Sequence, residues 1–182
     1  MSADHRVLIR PSRTDDLAAV TAIYGWNVRH GTGTFEIEAP DETEMTRRHA
    51  DVLAKGLPWL VAERDARVVG YAYASQFRPR PAYRYALEDS VYLAAEAVGC
   101  GVGRALLAEL LTRCEVAGAR QMLAVIGDAG NAASIGVHRT LGFEPVGTFK
   151  AVGWKFDRWL DVVLMQKALG RGAAIAPGDA PA

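Results

Sequence analysis

Three glycines at alternate positions, Gly99, Gly101 and Gly103, lie between a short apolar run and an amphipathic helix. A glycine-rich turn that opens a helix leaves several backbone N–H groups unpaired at the positive end of the helix macrodipole. Such a turn can hold an anion, and a phosphate or pyrophosphate suits it best. The same glycines are also compatible with a strand-to-helix turn that binds no ligand, and the spacing alone leaves both interpretations open.

Two common phosphate-binding motifs do not match this spacing. The nucleotide P-loop requires a lysine after its last glycine, whereas Arg104 follows Gly103. The dinucleotide fingerprint Gly-x-Gly-x-x-Gly, started at Gly99, would require a glycine at position 104. If the turn binds a phosphate, we therefore expect a phosphate-bearing molecule of another kind.

Composition and charge exclude several classes of partner. The 182 residues are enough for one domain, or for one domain with a tail. Lys+Arg and Asp+Glu both number 21, so no overall field attracts nucleic acid or an anionic membrane, and neither partner is expected. No apolar run approaches membrane-spanning length, and Met1–Arg6 lacks the apolar core of a signal peptide.

Cysteine and histidine usage predicts a cytoplasmic protein without a metal. Cys100 and Cys114 lie in or beside one predicted helix, so we expect neither a disulfide framework nor a cysteine-based zinc site. The histidines do not have the spacing of metal ligands. The small, turn-forming residues of 170–182 predict a disordered tail after a domain that spans 1–169.

Hydrophobic spacing and turn residues predict the elements that position the glycine turn. Strands are predicted at residues 7–10, 59–63, 68–75, 86–93, 122–126, 143–149 and 160–166. Helices are predicted from 14 to about 31, from 40 to about 55, directly after the glycine turn, and from 131 to about 141. Thr14 is expected to cap the first helix. Antiparallel strands followed by alternating strands and helices predict an α/β (α+β) fold, a mixed sheet with helices on both faces.

Taken together, these segments resemble the GCN5-related N-acetyltransferases (GNAT superfamily), and specifically the phosphinothricin and methionine sulfoximine acetyltransferases. The resemblance covers nearly the whole chain. It rests on segments in a fixed order: Ala22–Tyr24, Arg78–Pro79, Glu88–Tyr92, Val98–Gly103, Gly130–His138, Leu141–Phe143 and Lys155–Asp161. It implies the GNAT fold with a mostly antiparallel central sheet, acetyl-CoA as co-substrate, and a homodimer. It also implies direct acetyl transfer, within a ternary complex, to the α-amine of a small amino-acid-like acceptor such as phosphinothricin, methionine sulfoximine or methionine sulfone.

The resemblance assigns acetyl-CoA to the strand end, the glycine turn and the helix after it. The implied contacts are Val91, Tyr92, Leu93, Val98, Gly99, Cys100, Gly101, Val102, Gly103, Arg104 and Asn131. The motif's first position is normally Gln or Arg and here is Val98, so Arg104 is expected to supply replacement charge. A solvated helix-face arginine at 104 and a helix-capping asparagine at 131 are the alternatives.

The resemblance also implies the roles of the reacting groups. Glu88 is expected to be the general base, and His138 occupies the position of the group that protonates the leaving thiolate. A second base and a purely structural histidine are the alternatives for His138. Arg78 is expected to bind the carboxylate of the acceptor. The full set of expected acceptor contacts is Phe35, Arg78, Pro79, Arg80, Tyr83, Glu88, Asp89 and Ser90.

Two alternatives remain at this point. In the first alternative the chain catalyses the same acetyl transfer, but the acceptor is a protein N-terminus or a lysine. Such an acceptor requires an open groove instead of a closed pocket that contains an arginine. In the second alternative the chain is not an enzyme but a non-catalytic acyl-CoA-binding or regulatory module. The presence of both Glu88 and His138 argues against this alternative.

Overall fold

The computed structural model describes residues 7–177, which form one seven-stranded sheet and four α-helices. The strands are β1 (Leu8–Pro11), β2 (Trp59–Arg64), β3 (Arg67–Gln76), β4 (Ala86–Leu93), β5 (Gln121–Gly127), β6 (Glu144–Lys155) and β7 (Arg158–Ala168). The helices are α1 (Leu17–His30), α2 (Glu42–Ala54), α3 (Val102–Val116) and α4 (Ala132–Thr140). The N-terminal segment 1–6 and the last part of the predicted tail, 178–182, lie outside the described residues.

The sheet is mixed and mostly antiparallel, as predicted. Its strand order is β1-β2-β3-β4-β5-β7-β6, and β4–β5 is the parallel pair within the described residues. Asp65 and Ala66 between β2 and β3 have φ of 52° and 58°, as a two-residue type I′ hairpin turn requires. Helix α3 makes the crossover from β4 to β5.

Helices cover both faces of the sheet, and each face has its own core. Ala72 and Ala74 of β3 belong to one buried cluster with the leucine stripe of α3, against which α4 also packs. Tyr71, which points to the opposite face of β3, belongs to a second cluster with Trp59 of β2 and apolar residues of α1 and α2. This arrangement confirms the predicted layers.

Strands β4 and β5 separate in the middle of the sheet. Their pairing ends at Glu88 and Leu123, although β4 continues to Leu93 and β5 continues to Gly127. Beyond that point β4 remains paired with β3, and β5 remains paired with β7. The two halves of the sheet therefore open into a wedge, called the splay below.

Two local predictions were wrong. Thr14 does not cap α1; it lies in a 3-10 turn, Thr14–Asp16, where the Asp16 carboxylate accepts the Arg13 N–H at 2.7 Å and binds Arg10. Strand β6 continues past 149 to Lys155 because a bulge interrupts its pattern without ending its pairing. Ala151 in that bulge has φ 52°, and its N–H donates to the Asp161 carboxylate at 3.0 Å.

Candidate active site

The splay opens into a cavity of about 480 Å³, called the splay cavity. Five parts of the fold line it: α1 with the segment that follows it, β4, β5, α4 with the segment before it, and the first residue of β7. The lining residues are Asn27, 30–33, 88–92, 124–128, Gly130, Asn131, Ser134, His138 and Arg158. The cavity has a mostly polar lining in the middle of the sheet, where the backbone groups of β4 and β5 no longer pair with each other.

Glu88 lies where β4 and β5 separate, and it contributes to the walls of two cavities. One is the splay cavity and the other is an apolar cavity of about 270 Å³, called the side pocket. The side pocket is lined by Phe77, Arg78, Glu88, Leu123, Ala124, Val125, Val146, Phe149, Leu164 and Met165. Burial raises the pKa of Glu88, the Asp89 carboxylate adds to the rise, and Arg78 opposes it. A partly buried carboxyl with a raised pKa is suited to proton transfer.

Asp89 points to the other face of β4 and forms a buried pair with His138. The His138 Nε2 lies 2.9 Å from Asp89 Oδ2, and the two side chains are 6% and 3% exposed. His138 Nδ1 lies 2.7 Å from the Ser134 carbonyl oxygen, which can only accept, so Nδ1 carries a hydrogen. Burial lowers the pKa of His138, but the bonds to Asp89 and Ser134 outweigh it and the pKa is raised. An imidazolium–carboxylate pair satisfies both contacts.

This geometry leaves neither ring nitrogen of His138 free. Protonation of a thiolate by His138, as expected from the resemblance, requires the Asp89 contact to open. The pair instead ties α4 to β4 at the edge of the splay cavity. Asp89 Oδ1 is buried and has no hydrogen-bond partner in the described part of the chain.

The glycine turn forms a second cavity, of about 600 Å³, with the end of β4 and with α4; it is called the glycine-turn groove. Gly99 and Gly101 both have φ 78°, a left-handed conformation that favours glycine, and open space surrounds the Cβ position of each. The groove is lined by Asn27, Val91, Leu93, Val98, Gly99, Gly101, Gly103, Arg104, 131–134, Gly136, Val137, His138 and Thr140.

Backbone donors point out of the start of α3. The first hydrogen bond of this helix runs from the Ala105 N–H to the Gly101 carbonyl at 3.1 Å. The N–H groups of residues 102–104 precede it and therefore have no partner inside the helix. Together with the Arg104 side chain in the groove wall, these donors suit an anion, which is what the glycines predict for this turn.

Backbone donors also line the splay. Ala94 N–H donates to Val69 of β3 at 3.0 Å, and successive N–H groups of a strand alternate in direction. The N–H groups of Val91 and Leu93 therefore face the splay, whereas that of Tyr92 faces β3. The Tyr92 ring packs in the aromatic core, with its centre 4.9 Å from that of Tyr24.

A family model described as the acetyltransferase (GNAT) family matches residues 20–143. This chain belongs to the GNAT acetyltransferase family. The matched range begins in α1 and ends just before β6, so it includes the splay, Glu88 and the glycine turn.

Similar proteins place this GNAT acetyltransferase more narrowly. It is 55% identical over 169 residues to a phosphinothricin N-acetyltransferase from Alcaligenes faecalis, covering 93% of this chain and 86% of the relative. It is 41% identical over 160 residues to an L-methionine sulfoximine/L-methionine sulfone acetyltransferase from Pseudomonas paraeruginosa, covering 87% and 92% of the two chains. These relatives confirm the resemblance found in the sequence.

Two solved structures have the same fold. A phosphinothricin acetyltransferase from Sinorhizobium meliloti, crystallised with acetyl-CoA, has a TM-score of 0.93 and 47% identity, and the match covers 96% of this chain and 94% of the other. A ribosomal-protein-alanine N-acetyltransferase from Brucella melitensis has a TM-score of 0.86 and 44% identity, with 89% and 99% covered. Together with the family match, they confirm the GNAT fold.

Not every residue expected at the acetyl-CoA site of this GNAT acetyltransferase lines the groove. Cys100 is exposed and its Sγ lies 3.7 Å from the Val98 carbonyl oxygen. Val102 is buried in the α3 core, 1% exposed. Within the turn, glycines 99, 101 and 103 line the groove, and the two residues between them turn their side chains elsewhere.

The expected acceptor residues divide into two groups. Four of the eight line a cavity: Asp89 and Ser90 line the splay cavity, Arg78 lines the side pocket, and Glu88 lines both. The Arg78 guanidinium lies 4.9 Å from the ring centre of Phe77. The other four do not line the splay cavity, the groove or the side pocket: Phe35, Pro79, Arg80 and Tyr83.

The structure gives a reason for each of the four. Pro79 and Arg80 are exposed before the 3-10 turn Pro81–Tyr83, and the Tyr83 ring lies edge-on to Phe77 at 5.9 Å. The Phe35 ring packs against the backbone of Gly153 instead. A loop motif that matches the family therefore contributes one side chain, Arg78, to these cavities.

Several site residues were missed by the sequence analysis. Asn27 lines both the splay cavity and the groove, and its Nδ2 donates to the Leu93 carbonyl at 3.0 Å. Its position three residues after Tyr24, on the buried stripe of α1, was a signal that an apolar face carried a polar group. Arg158 pairs with Asp128 at 2.7 Å at the cavity wall, and residues 31–33 line the same cavity. No local pattern marks these positions.

Within residues 7–177, no group of three or more His, Cys, Asp or Glu side chains is arranged to hold a metal ion. No helix in that range is long and apolar enough to cross a membrane.

Proposed function

We propose that this GNAT acetyltransferase transfers the acetyl group of acetyl-CoA directly to the α-amine of a small amino-acid-like acceptor. Phosphinothricin, methionine sulfoximine and methionine sulfone represent the acceptor class. The observation that carries the proposal is Glu88: it lies at the splay, borders both the splay cavity and the side pocket, and has a raised pKa. The names of the relatives support the same acceptors.

The groove and the splay cavity together suit acetyl-CoA. They share Asn27, Val91, Asn131, Ser134 and His138, so one elongated ligand can occupy both. The N–H groups of residues 102–104 and the Arg104 guanidinium would hold the pyrophosphate. The N–H groups of Val91 and Leu93, which face the splay, would stabilise the oxygen of the reacting thioester.

The side chains of the splay would divide the proton transfers. Glu88 would accept the proton of the acceptor ammonium, which frees the amine to form the C–N bond. The C–S bond then breaks, and the leaving thiolate takes up the proton that the attacking nitrogen loses as it becomes an amide. We propose that His138 contributes by holding α4 against β4 through Asp89, because both of its nitrogens are engaged.

The side pocket supports an amino-acid acceptor. Arg78 would bind the acceptor carboxylate while Glu88 faces the amine, and both residues line this pocket. Its remaining walls are apolar, including Val125, Val146 and Phe149, and suit an aliphatic side chain.

A second candidate acceptor is a protein or peptide N-terminus. The similar structure from Brucella melitensis, which is named a ribosomal-protein-alanine N-acetyltransferase, favours it. The two candidates are separated by measuring thiol release from acetyl-CoA with methionine sulfone, phosphinothricin or a peptide that begins with alanine. We expect fast release with the free amino acids and release near the background with the peptide. The reverse pattern would replace the amino-acid acceptor by a peptide.

We also propose that the enzyme is a homodimer that pairs through the β6–β7 hairpin. Strand β6 is at the edge of the sheet, and large apolar side chains of this hairpin are exposed: Val146, Phe149, Val152, Trp154, Phe156 and Trp159. Light scattering should give a dimer mass for the wild type and a monomer mass for Trp154→Asp. A monomeric wild type would contradict the proposal. A cytoplasmic location remains a prediction from the cysteine usage.

A further inference from the structure

The segment Gly31–Phe35, which follows α1, forms one wall of the splay cavity. Gly31, Thr32 and Gly33 line that cavity, yet the segment contains neither helix nor strand. Its shape must therefore come from contacts with other parts of the chain. We define it as the wall segment.

Lys155, the last residue of β6, supplies two of these contacts. Its Nζ donates to the Gly31 carbonyl at 2.9 Å and to the Thr34 carbonyl at 2.8 Å, across more than a hundred residues of sequence. Gly31 is the C-cap of α1, so the ammonium also lies at the negative end of that helix dipole. One lysine thus binds both ends of the wall segment.

The wall segment lies directly on the strands beneath it. A Cβ at Gly153 would come within 2.6 Å of the Phe35 ring, and a Cβ at Gly127 would overlap the Thr32 carbonyl oxygen. Side chains at these positions of β5 and β6 would lift the segment away from the sheet. Gly127, Gly153 and Lys155 together fix the distance of the wall segment from the sheet.

The burial of Lys155 is costly for a structural contact alone. The residue is 5% exposed, and its two acceptors are carbonyl oxygens rather than a carboxylate. Burial lowers the pKa of Lys155, and the Glu36 carboxylate opposes this shift. A neutral side chain would fill the same space without the cost of desolvating a charge. We therefore attribute the lysine at this position to its positive charge and its N–H donors.

We propose that Lys155 is a positioning residue that sets the affinity for the acceptor by clamping the wall segment. This inference rests on the proposed function for the identity of the acceptor. The clamp holds the backbone of Gly31–Gly33 against the splay cavity, where the amine of an acceptor held in the side pocket must pass Glu88 to reach the thioester. These three residues do not line the glycine-turn groove, and the clamp does not touch it. Its loss therefore affects acceptor binding and leaves the acetyl-CoA groove intact.

The test compares three lysine variants by steady-state kinetics with methionine sulfone. Lys155→Met keeps the length of the side chain and removes the donors, so we expect the acceptor KM to rise about tenfold. The KM for acetyl-CoA and kcat should remain within about threefold, because these depend on other residues. Lys155→Arg keeps charge and donors and should recover part of the acceptor affinity. Lys150→Met, which removes an exposed lysine of the same strand, should change neither KM.

A second measurement does not depend on the acceptor. Hydrogen–deuterium exchange of residues 31–36 should be faster in Lys155→Met than in the wild type, while exchange in 98–104 stays the same. If Lys155→Met does not fold, Gly153→Ala displaces the wall segment through Phe35 and should raise the acceptor KM in the same way.

An unchanged acceptor KM in the folded variant overturns the proposal, and so does an equal rise of both KM values. If the wild type releases no thiol with any amino-acid acceptor, the proposed function fails instead, and the exchange measurement still decides whether Lys155 clamps the segment.

Discussion

The glycine-turn groove and the splay cavity adjoin each other but are built in different ways. The floor of the groove comes from one short stretch, 98–104, and its donors are backbone N–H groups at the start of α3. The splay cavity is assembled from α1, β4, β5, α4 and β7, and side chains supply most of its chemistry. A backbone site depends on conformation and tolerates changes of side chain, whereas a side-chain site depends on individual residues. The two regions should therefore respond to mutation in opposite ways.

The largest effect is expected where the backbone of the groove itself is changed. Gly101→Asp places a Cβ and a carboxylate at φ 78°, where the anion site is proposed. We expect acetyl-CoA affinity to fall at least about 100-fold, through strain and like charge. Isothermal titration calorimetry of acetyl-CoA binding to the folded variant measures this loss of affinity.

The matched control is Gly118→Asp, since Gly118 has φ 90°, equally open space, and a place at the far end of α3. It carries the same strain and charge but should keep wild-type affinity. Equal losses in the two variants would remove the pyrophosphate assignment.

A smaller effect, confined to the acceptor, is expected at Arg78. A charge-assisted bond to a carboxylate contributes roughly 1.5–3 kcal/mol, so Arg78→Ala should raise the acceptor KM about ten- to one-hundredfold. The KM for acetyl-CoA should stay nearly constant. Arg80→Ala, an exposed arginine of the same loop that lines none of the three cavities, should leave both values unchanged.

An acceptor amine without a carboxylate sharpens this test. It should be a poor substrate for the wild type and insensitive to Arg78→Ala. If both acceptors lose affinity equally, Arg78 supports the loop and does not bind the carboxylate.

The same contrast explains which parts of the site could be predicted from the sequence. The groove was predictable because a glycine-rich turn followed by a helix forms a local pattern. Glu88 was selected as the candidate base through the resemblance of its segment, Glu88–Tyr92, to the family. Asn27 and Arg158 could not be predicted, because they come from segments at opposite ends of the chain that meet only through the strand order. Secondary structure could be predicted closely, since apolar spacing is local. Phe35 and Tyr83 were expected at the acceptor site but line none of the three cavities, because a sequence motif does not give the direction of a side chain.

The smallest effect is expected at the pair that joins the two regions. Asp89→Asn removes the charge that raises the pKa of His138, and we expect it to lower the free energy of unfolding by about 1–3 kcal/mol at pH 6. A raised pKa in the folded state means that the pair stabilises fully below the unfolded pKa of about 6.5. The contribution is lost as the pH rises through the folded value.

Urea denaturation of both proteins at pH 6 and pH 9 checks this sign. The difference between wild type and variant should shrink at the higher pH. A constant difference would contradict the raised pKa of His138 in the folded protein.

The central claim is that Glu88 is the base at the junction of the two cavities, and the pH–rate profile of Glu88→Gln tests it most directly. The variant should bind acetyl-CoA like the wild type and lose roughly 100-fold or more in turnover near neutral pH. Part of that loss should be recovered at high pH, where the acceptor amine deprotonates without help. The low-pH limb of the wild-type profile should lie above the usual carboxyl range, because burial raises the pKa of Glu88. A variant with near-wild-type turnover and the same low-pH limb would contradict the account.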